Sequence, residues 1–236
     1  MKKFFKSVGI FSECLSDVLF PPHCIVCENG LYQGEVDVCS ICLSSLPFVN
    51  EDYSPESLYV RLSIELRPSF VWAYLLFDSK NKTQKILHAI KYGDSPDIAV
   101  RLAAIWADRI KESLINSGID MIVPIPLHRS KMRKRGYNQA TKIAEGIQKV
   151  IGLEIDETVL FRKRNLFVQA QSKRMKRFEN VKLVYAIRNA DKIKGKHILL
   201  VDDVLTTGAT LEACGILLKN AGAAKVSVAL LAMVAD

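Results

Sequence analysis

Two groups of residues in this 236-residue sequence have types and spacings that could do chemistry. The first is Cys24-x2-Cys27-x11-Cys39-x2-Cys42. Each Cys-x-x-Cys pair makes a tight knuckle, and a loop of eleven residues can bring the knuckles face to face around a tetrahedral ion. Disulfides are the competing reading. They are disfavoured in an intracellular chain, and cysteines with two residues between them bridge only with strain. Four thiolates leave no open coordination position, so the expected ion is a structural Zn²⁺ that folds its segment and takes no part in a reaction. Cys14 and Cys214 stand outside the pattern and read as packing residues, while His23 flanks the first knuckle.

The second group is Asp202-Asp203-Val204-Leu205-Thr206-Thr207-Gly208-Ala209-Thr210, set between the apolar run His197–Val201 and a helical pattern. In an open parallel sheet, ligands bind at the carboxyl ends of the strands, where these acids fall. The small residues after them let successive backbone N–H groups converge on a phosphate at a helix N-terminus, and Thr206, Thr207 and Thr210 add hydroxyl donors. Two carboxylates beside a phosphate cup suit the hydroxyls of a sugar that carries the phosphate. A capped helix with solvated acids would account for one Asp and one Thr but not for the whole run. The combined expectation is a ribose 5-phosphate site.

The surrounding elements fit that placement. Apolar strands are expected at Ile119–Ile125, Lys182–Ile187, His197–Val201 and Val226–Val234. Helices are expected at Thr83–Lys91, Asp97–Ser117, Tyr137–Ile151 and Gly208–Asn220. Buried strands alternating with helices make an α/β fold with a parallel sheet covered on both faces. Phe4, Val8, Phe11, Leu15, Val18 and Leu19 recur at helical spacing ahead of Pro21-Pro22, and the polar residues among them argue against a signal peptide. Apolar residues make up 49% of the chain and charged residues 25%, which excludes a disordered or collagen-like polymer. No run of 18 apolar residues occurs, so no spanning helix is expected and the chain reads as cytoplasmic.

The net charge of +8 is concentrated: His128 to Arg177 holds 14 Lys and Arg against 4 Asp and Glu. Arg129, Lys131, Arg133, Lys134 and Arg135 follow directly on an expected strand, where they would serve an anion such as a leaving diphosphate. A second cluster, Arg162, Lys163, Arg164, Lys173, Arg174, Lys176 and Arg177, exceeds what one diphosphate needs and is interleaved with Phe161, Phe167 and Phe178. Backbone charge plus aromatic stacking holds single strands without sequence preference. A solvated basic face is the plainer alternative.

The run LLVDDVLTTGAT closely resembles the 5-phosphoribosyl 1-diphosphate (PRPP) motif of type I phosphoribosyltransferases. VPIPLHRSKMRKRGYNQA, the four-cysteine segment after Phe20-Pro21-Pro22, and LHAIKYGD are similar to the ComF family, which is linked to natural competence. The resemblance implies a type I phosphoribosyltransferase fold, a doubly wound and mostly parallel sheet, with a small N-terminal zinc module. It implies that Asp202 and Asp203 take the ribose hydroxyls, that Thr206 to Thr210 wrap the 5-phosphate, and that Val204 and Leu205 belong to the same PRPP site. Val123 to Leu127, including Pro124, Ile125 and Pro126, would meet the diphosphate, with Arg133 and Arg135 on the mobile loop that follows. Mg²⁺ would accompany PRPP. Single-stranded DNA and the helicase and recombination proteins of competence would be partners. Arg162 and Arg164, then Arg177 and Asn180, match further family blocks, while Lys131, Leu166 and Val168 depart from the family's Arg, Thr and Pro.

The expected organisation is a helix and zinc module over 1–50, a connector over 51–70 and a phosphoribosyltransferase-like domain over 71–236. Two functions stay open on this reading. One is a PRPP- and DNA-binding competence factor. The other is a transferase that moves the phosphoribosyl group to a nitrogen acceptor with release of pyrophosphate.

Overall fold

Residues 198–201 and 226–233 are buried without interruption, a pattern that only strands covered on both faces can hold. In the computed structural model, which describes residues 22–49, 62, 66–77, 82–93, 96–163 and 184–234, they belong to the two central strands of one sheet. The sheet contains β1 (Val71–Phe77), β2 (Met121–Pro124), β5 (His197–Leu205) and β6 (Lys225–Val234), in the order β1-β6-β5-β2. All three pairings are parallel. β3 (Leu160–Arg162) and β4 (Tyr185–Ile187) form a separate antiparallel pair.

The side chains of successive strand residues feed two cores. Leu199, Val201, Ala229 and Leu231 face one layer with the helices α2 (Lys82–Tyr92), α3 (Asp97–Arg109) and α6 (Gln139–Ile151). Ile198, Leu200, Val228 and Leu230 face the other, with Leu211, Cys214 and Leu218 of α7 (Ala209–Asn220). The parallel sheet with helices on both sides is the fold expected from the sequence. In the first layer α3 and α6 approach at Gly146, where a Cβ would lie 2.4 Å from the Val100 carbonyl oxygen. Leu62 and Leu66, in the stretch read as a connector, are buried in the second layer.

Three local differences have physical causes. The helix expected over Asp97–Ser117 breaks at Ile110 (φ −109°, ψ 17°), giving α3 and a short α4 (Lys111–Asn116). β1 escaped the sequence reading because it follows directly on the polar stretch read as a connector and lies at the sheet edge, where only Tyr74 and Leu75 of its residues are buried. Arg129–Arg135 forms a helix, α5, where a mobile loop was expected. It is capped by the His128 imidazole, which accepts from the Ser130 N–H, and it ends at Gly136 in the left-handed region (φ 80°).

The cysteine module packs on the first layer. Cys24, Val26, Val38, Cys39, Cys42 and Leu46 are continuous with the core of α2 and α3. Its last residues run antiparallel along β1: Leu76 donates to the Pro47 carbonyl at 2.7 Å, and Val49 donates to the Tyr74 carbonyl at 3.0 Å. Arg101 of α3 binds the Asp37 carboxylate through Nε at 2.7 Å, and Arg109 stacks 4.5 Å over the Phe48 ring. The N-terminal helix expected over Phe4–Leu19 lies outside the described residues. Among those described, no helix is long and apolar enough to cross a membrane.

Candidate functional site

The two knuckles converge as their spacing requires. Asn29 accepts from the Cys24 N–H, a bridge joins His23 to Gly30, and Cys39 caps α1 (Ser40–Ser44). Four sulfurs bonded to one Zn²⁺ at about 2.3 Å have edges of about 3.8 Å. The four Sγ atoms lie within 4.8 Å of one another, and those of Cys27 and Cys39 are 3.8 Å apart. Burial works against a thiolate at Cys24, but backbone N–H groups from Cys27, Cys39 and Val26 outweigh it and bring the thiol down to about 6. Burial, and then the neighbouring sulfurs, push Cys42 up to about 12. Four converging thiols cannot all ionise unaided, and a divalent cation at their centre removes that conflict. The residues fit a structural zinc, which supplies the module with its missing core.

At the carboxyl end of the sheet, β5 extends through Asp202 and Asp203 to Leu205, so both acids sit on a strand paired with Leu230 to Met233 of β6. Asp202 is half-buried at the edge of the cleft, and that burial, reinforced by the charge of Asp203, pushes its carboxyl up to about 8. Its Oδ1 accepts from the Asp203 N–H at 2.8 Å. Asp203 pairs with the Lys91 ammonium at 2.9 Å. Beyond β5 the chain turns through Thr206, Thr207 and Gly208 into α7. Gly208 adopts the left-handed region (φ 75°), and no side chain caps the helix. The backbone donors of its first turn therefore border a cleft lined by Asp202 and residues 204–211. An anion at this helix start would meet those donors and the Thr hydroxyls together.

The second wall comes from β2. Pro124, Ile125 and Pro126 leave its carboxyl end beside β5, where Ile125 donates to the Val201 carbonyl at 2.9 Å. Asn138 fixes this loop: its side-chain amide donates to the Ile125 carbonyl at 2.9 Å while its Oδ1 caps α6. Arg133 is exposed on α5, and Arg135 lies 5.2 Å over the ring of Tyr92. Arg162, grouped with the second basic cluster by its position in the sequence, stacks 5.6 Å over Tyr185 on the β3–β4 pair. Tyr185 and the buried thiol of Cys214 lie within electrostatic reach of both Arg162 and Asp202. Lys163 is exposed. Arg164, Lys173, Arg174, Lys176 and Arg177 lie outside the described residues.

Sequence reasoning found α2 as a helix over Thr83–Lys91 but not its place at the site. Its first turn is tied to β1, where the Thr83 hydroxyl donates to the Leu76 carbonyl at 2.8 Å. Its last turn brings Lys91 to Asp203 on β5. The helix therefore crosses the carboxyl end of the sheet, and the Tyr137 hydroxyl holds the Ile90 carbonyl at 2.5 Å. The signal available was LHAIKYGD, whose lysine has no local reason to meet an acid so far along the chain.

The chain matches the phosphoribosyl transferase domain over residues 89–235 and the double zinc ribbon domain over residues 15–55. The DNA utilization protein YhgH of Salmonella typhimurium is 26% identical over 218 residues, covering 88% of this chain and 95% of its own. Competence protein F of Haemophilus influenzae is 22% identical over 216 residues, covering 87% and 94%. Competence protein ComFC of Streptococcus pneumoniae is 28% identical over 193 residues, covering 79% and 83%.

Proposed function

The chain belongs to the phosphoribosyl transferase domain family, in the ComF form that sets a zinc module ahead of that domain, and on that premise we propose that it binds PRPP and acts in the cytoplasm on single-stranded DNA taken up in competence. The observation that carries the first half is the pair Asp202 and Asp203 on β5 directly ahead of the uncapped start of α7. In this reading Asp203 accepts a ribose hydroxyl, and Asp202, largely protonated at neutral pH, shares the other. The N–H groups and hydroxyls of residues 206–210 bind the 5-phosphate. The Pro124-Ile125-Pro126 loop borders the diphosphate, with Arg133 and Arg135 supplying charge. Mg²⁺ bound to the diphosphate would lower its repulsion from the acids.

The second half rests on the relatives' names, which concern DNA utilization and competence, and on the basic surplus between His128 and Arg177. A helix such as α5, with Arg129, Lys131, Arg133 and Lys134 all exposed, suits a phosphodiester backbone. The proposed partners include the helicase and recombination proteins that receive the strand.

The test is titration of PRPP with Mg²⁺, and of single-stranded DNA, into one zinc-loaded preparation with pyrophosphate measured alongside. The expected result is binding of both, a DNA affinity that falls with salt at a log–log slope of about −0.7 per phosphate contacted, and little pyrophosphate. Replacing Lys173, Arg174 and Lys176 with Ala should weaken DNA binding and flatten that slope while leaving PRPP binding in place. Absence of PRPP binding overturns the site. Steady pyrophosphate release with a nitrogen acceptor, together with DNA binding that the triple change does not alter, favours the transferase instead.

A further inference from the structure

We propose that Lys91 is a resident counter-ion of the ribose site, a positioning residue that holds Asp203 while the site is empty and gives it up to a ligand arriving with its own divalent cation. The inference rests on the PRPP reading for the identity of that ligand, though not for the lysine's behaviour towards cations.

The placement of Lys91 is built into the fold. Its ammonium is 2.9 Å from Asp203, with the lysine side chain 28% exposed and the aspartate 19%. α2 is fastened on each side of that contact. Lys85 donates to the Val26 carbonyl at 2.6 Å and pairs with Glu28 at 3.0 Å, and Lys82 reaches the Ser45 hydroxyl, so the helix begins on the zinc module. At the other end the Tyr137 hydroxyl grips Ile90 and Arg135 covers Tyr92. Both of those residues come from the basic block that follows β2, so the wall carrying the lysine and the wall facing the diphosphate are joined.

The consequence is competition. Asp202 and Asp203 are adjacent, and the Asp202 Oδ1 accepts from the Asp203 N–H at 2.8 Å. A divalent cation bound at this pair would need the Asp203 carboxylate, which the Lys91 ammonium already occupies. A bare cation must displace Lys91, which weakens its binding. A metal-bound phosphoribosyl diphosphate brings the cation and also offers the displaced ammonium new anionic oxygens. Ribose 5-phosphate offers neither. Lys91 therefore favours the diphosphate ester over the simple phosphate, and it keeps the empty site from filling with metal.

The experiment uses full-length, zinc-saturated protein. Mn²⁺ binding in the absence of nucleotide or sugar is followed by electron paramagnetic resonance for the native protein, Lys91→Met, Lys91→Arg, and Lys91→Met combined with Asp203→Asn. PRPP and ribose 5-phosphate affinities are measured on the same samples. Lys91→Met should bind Mn²⁺ about tenfold tighter or more, as expected when one nearby charge is removed. The added Asp203→Asn should abolish that gain, and Lys91→Arg should resemble the native protein. The preference for PRPP over ribose 5-phosphate should shrink in Lys91→Met. Lys91→Gln repeats the comparison if zinc content or melting temperature shows that Met unsettles the fold. Equal Mn²⁺ affinity in the native protein and both neutral variants overturns the proposal, whether or not PRPP binds. A native protein that ignores PRPP while Lys91→Met gains Mn²⁺ overturns the PRPP reading and leaves the counter-ion standing.

Discussion

Asp202 and Asp203 are neighbours in sequence, yet their replacement by Asn should have unequal effects on PRPP binding. Burial and the adjacent charge push Asp202 up to about 8, so at pH 7 its carboxyl is mostly protonated. Asn has the shape of that protonated acid, and Asp202→Asn exchanges one neutral hydrogen-bonding group for another. The cost is then that of a neutral hydrogen bond, about 0.5–1.5 kcal/mol, or about 2- to 12-fold in affinity. Asp203, paired with Lys91 at 2.9 Å, is the ionised acceptor. Asp203→Asn removes a charge-assisted bond, about 1.5–3 kcal/mol, which is about 12- to 150-fold. The assay is isothermal titration with PRPP and Mg²⁺ at pH 7 and again at pH 9, with zinc content as the check on folding. At pH 9 native Asp202 is above its titration point and ionised, so the gap between the two variants should narrow. A loss from Asp202→Asn that equals or exceeds that from Asp203→Asn at pH 7 would refute the assignment of the charge.

Elemental analysis should find about one Zn²⁺ per chain. Cys24→Ser should lower that and strip amide protection from α1, weakening PRPP binding without abolishing it; undiminished zinc would show that the four sulfurs are not the ligands. Gly146→Ala should cost about 1–3 kcal/mol of stability, because its methyl meets the Val100 carbonyl and the Ala103 side chain on α3, and thermal melts measure it directly. Asp156 is held down to about 2: burial opposes its charge, but Lys192 at 2.6 Å, Thr158 and Val159 outweigh that. A carboxylate with a depressed folded-state value stabilises above its ordinary value near 3.8, and that contribution is lost as pH falls towards 2. Lys192→Met should therefore shift the acid-unfolding midpoint upward, and an unmoved midpoint would mean that the pair contributes nothing.

The residues whose chemistry is local were legible. Cysteine spacing carries the ligand set, and the Asp202 to Thr210 run carries both its acids and its turn, because strand, loop and helix start are consecutive there. The central strands were legible too, since continuous Val, Leu and Ile runs have few other homes. Contacts between distant segments were not. Lys91 meets Asp203 only because α2 crosses the top of the sheet, and that crossing depends on the order β1-β6-β5, which no local pattern encodes. Arg162 looked like one of several basic residues in a row. Its place over the Tyr185 ring follows from the pairing of β3 with β4, which sets the two residues opposite each other.

Pro47 to Val49 lie along the outer side of β1, the first strand of the sheet in chain order and an edge in its final arrangement. An uncovered edge strand offers its backbone groups to any other chain, and Val71–Phe77 is apolar enough to make that pairing persistent. During synthesis the cysteine module emerges before β1. Once loaded with metal, it can present a ready strand to β1 before the partners β6 and β5, more than a hundred residues later, have left the ribosome. Metal supply would then govern the yield of soluble protein as well as the order of one small module. A chain cut to begin at Val71 would keep every residue of the proposed ribose site and still accumulate as aggregate.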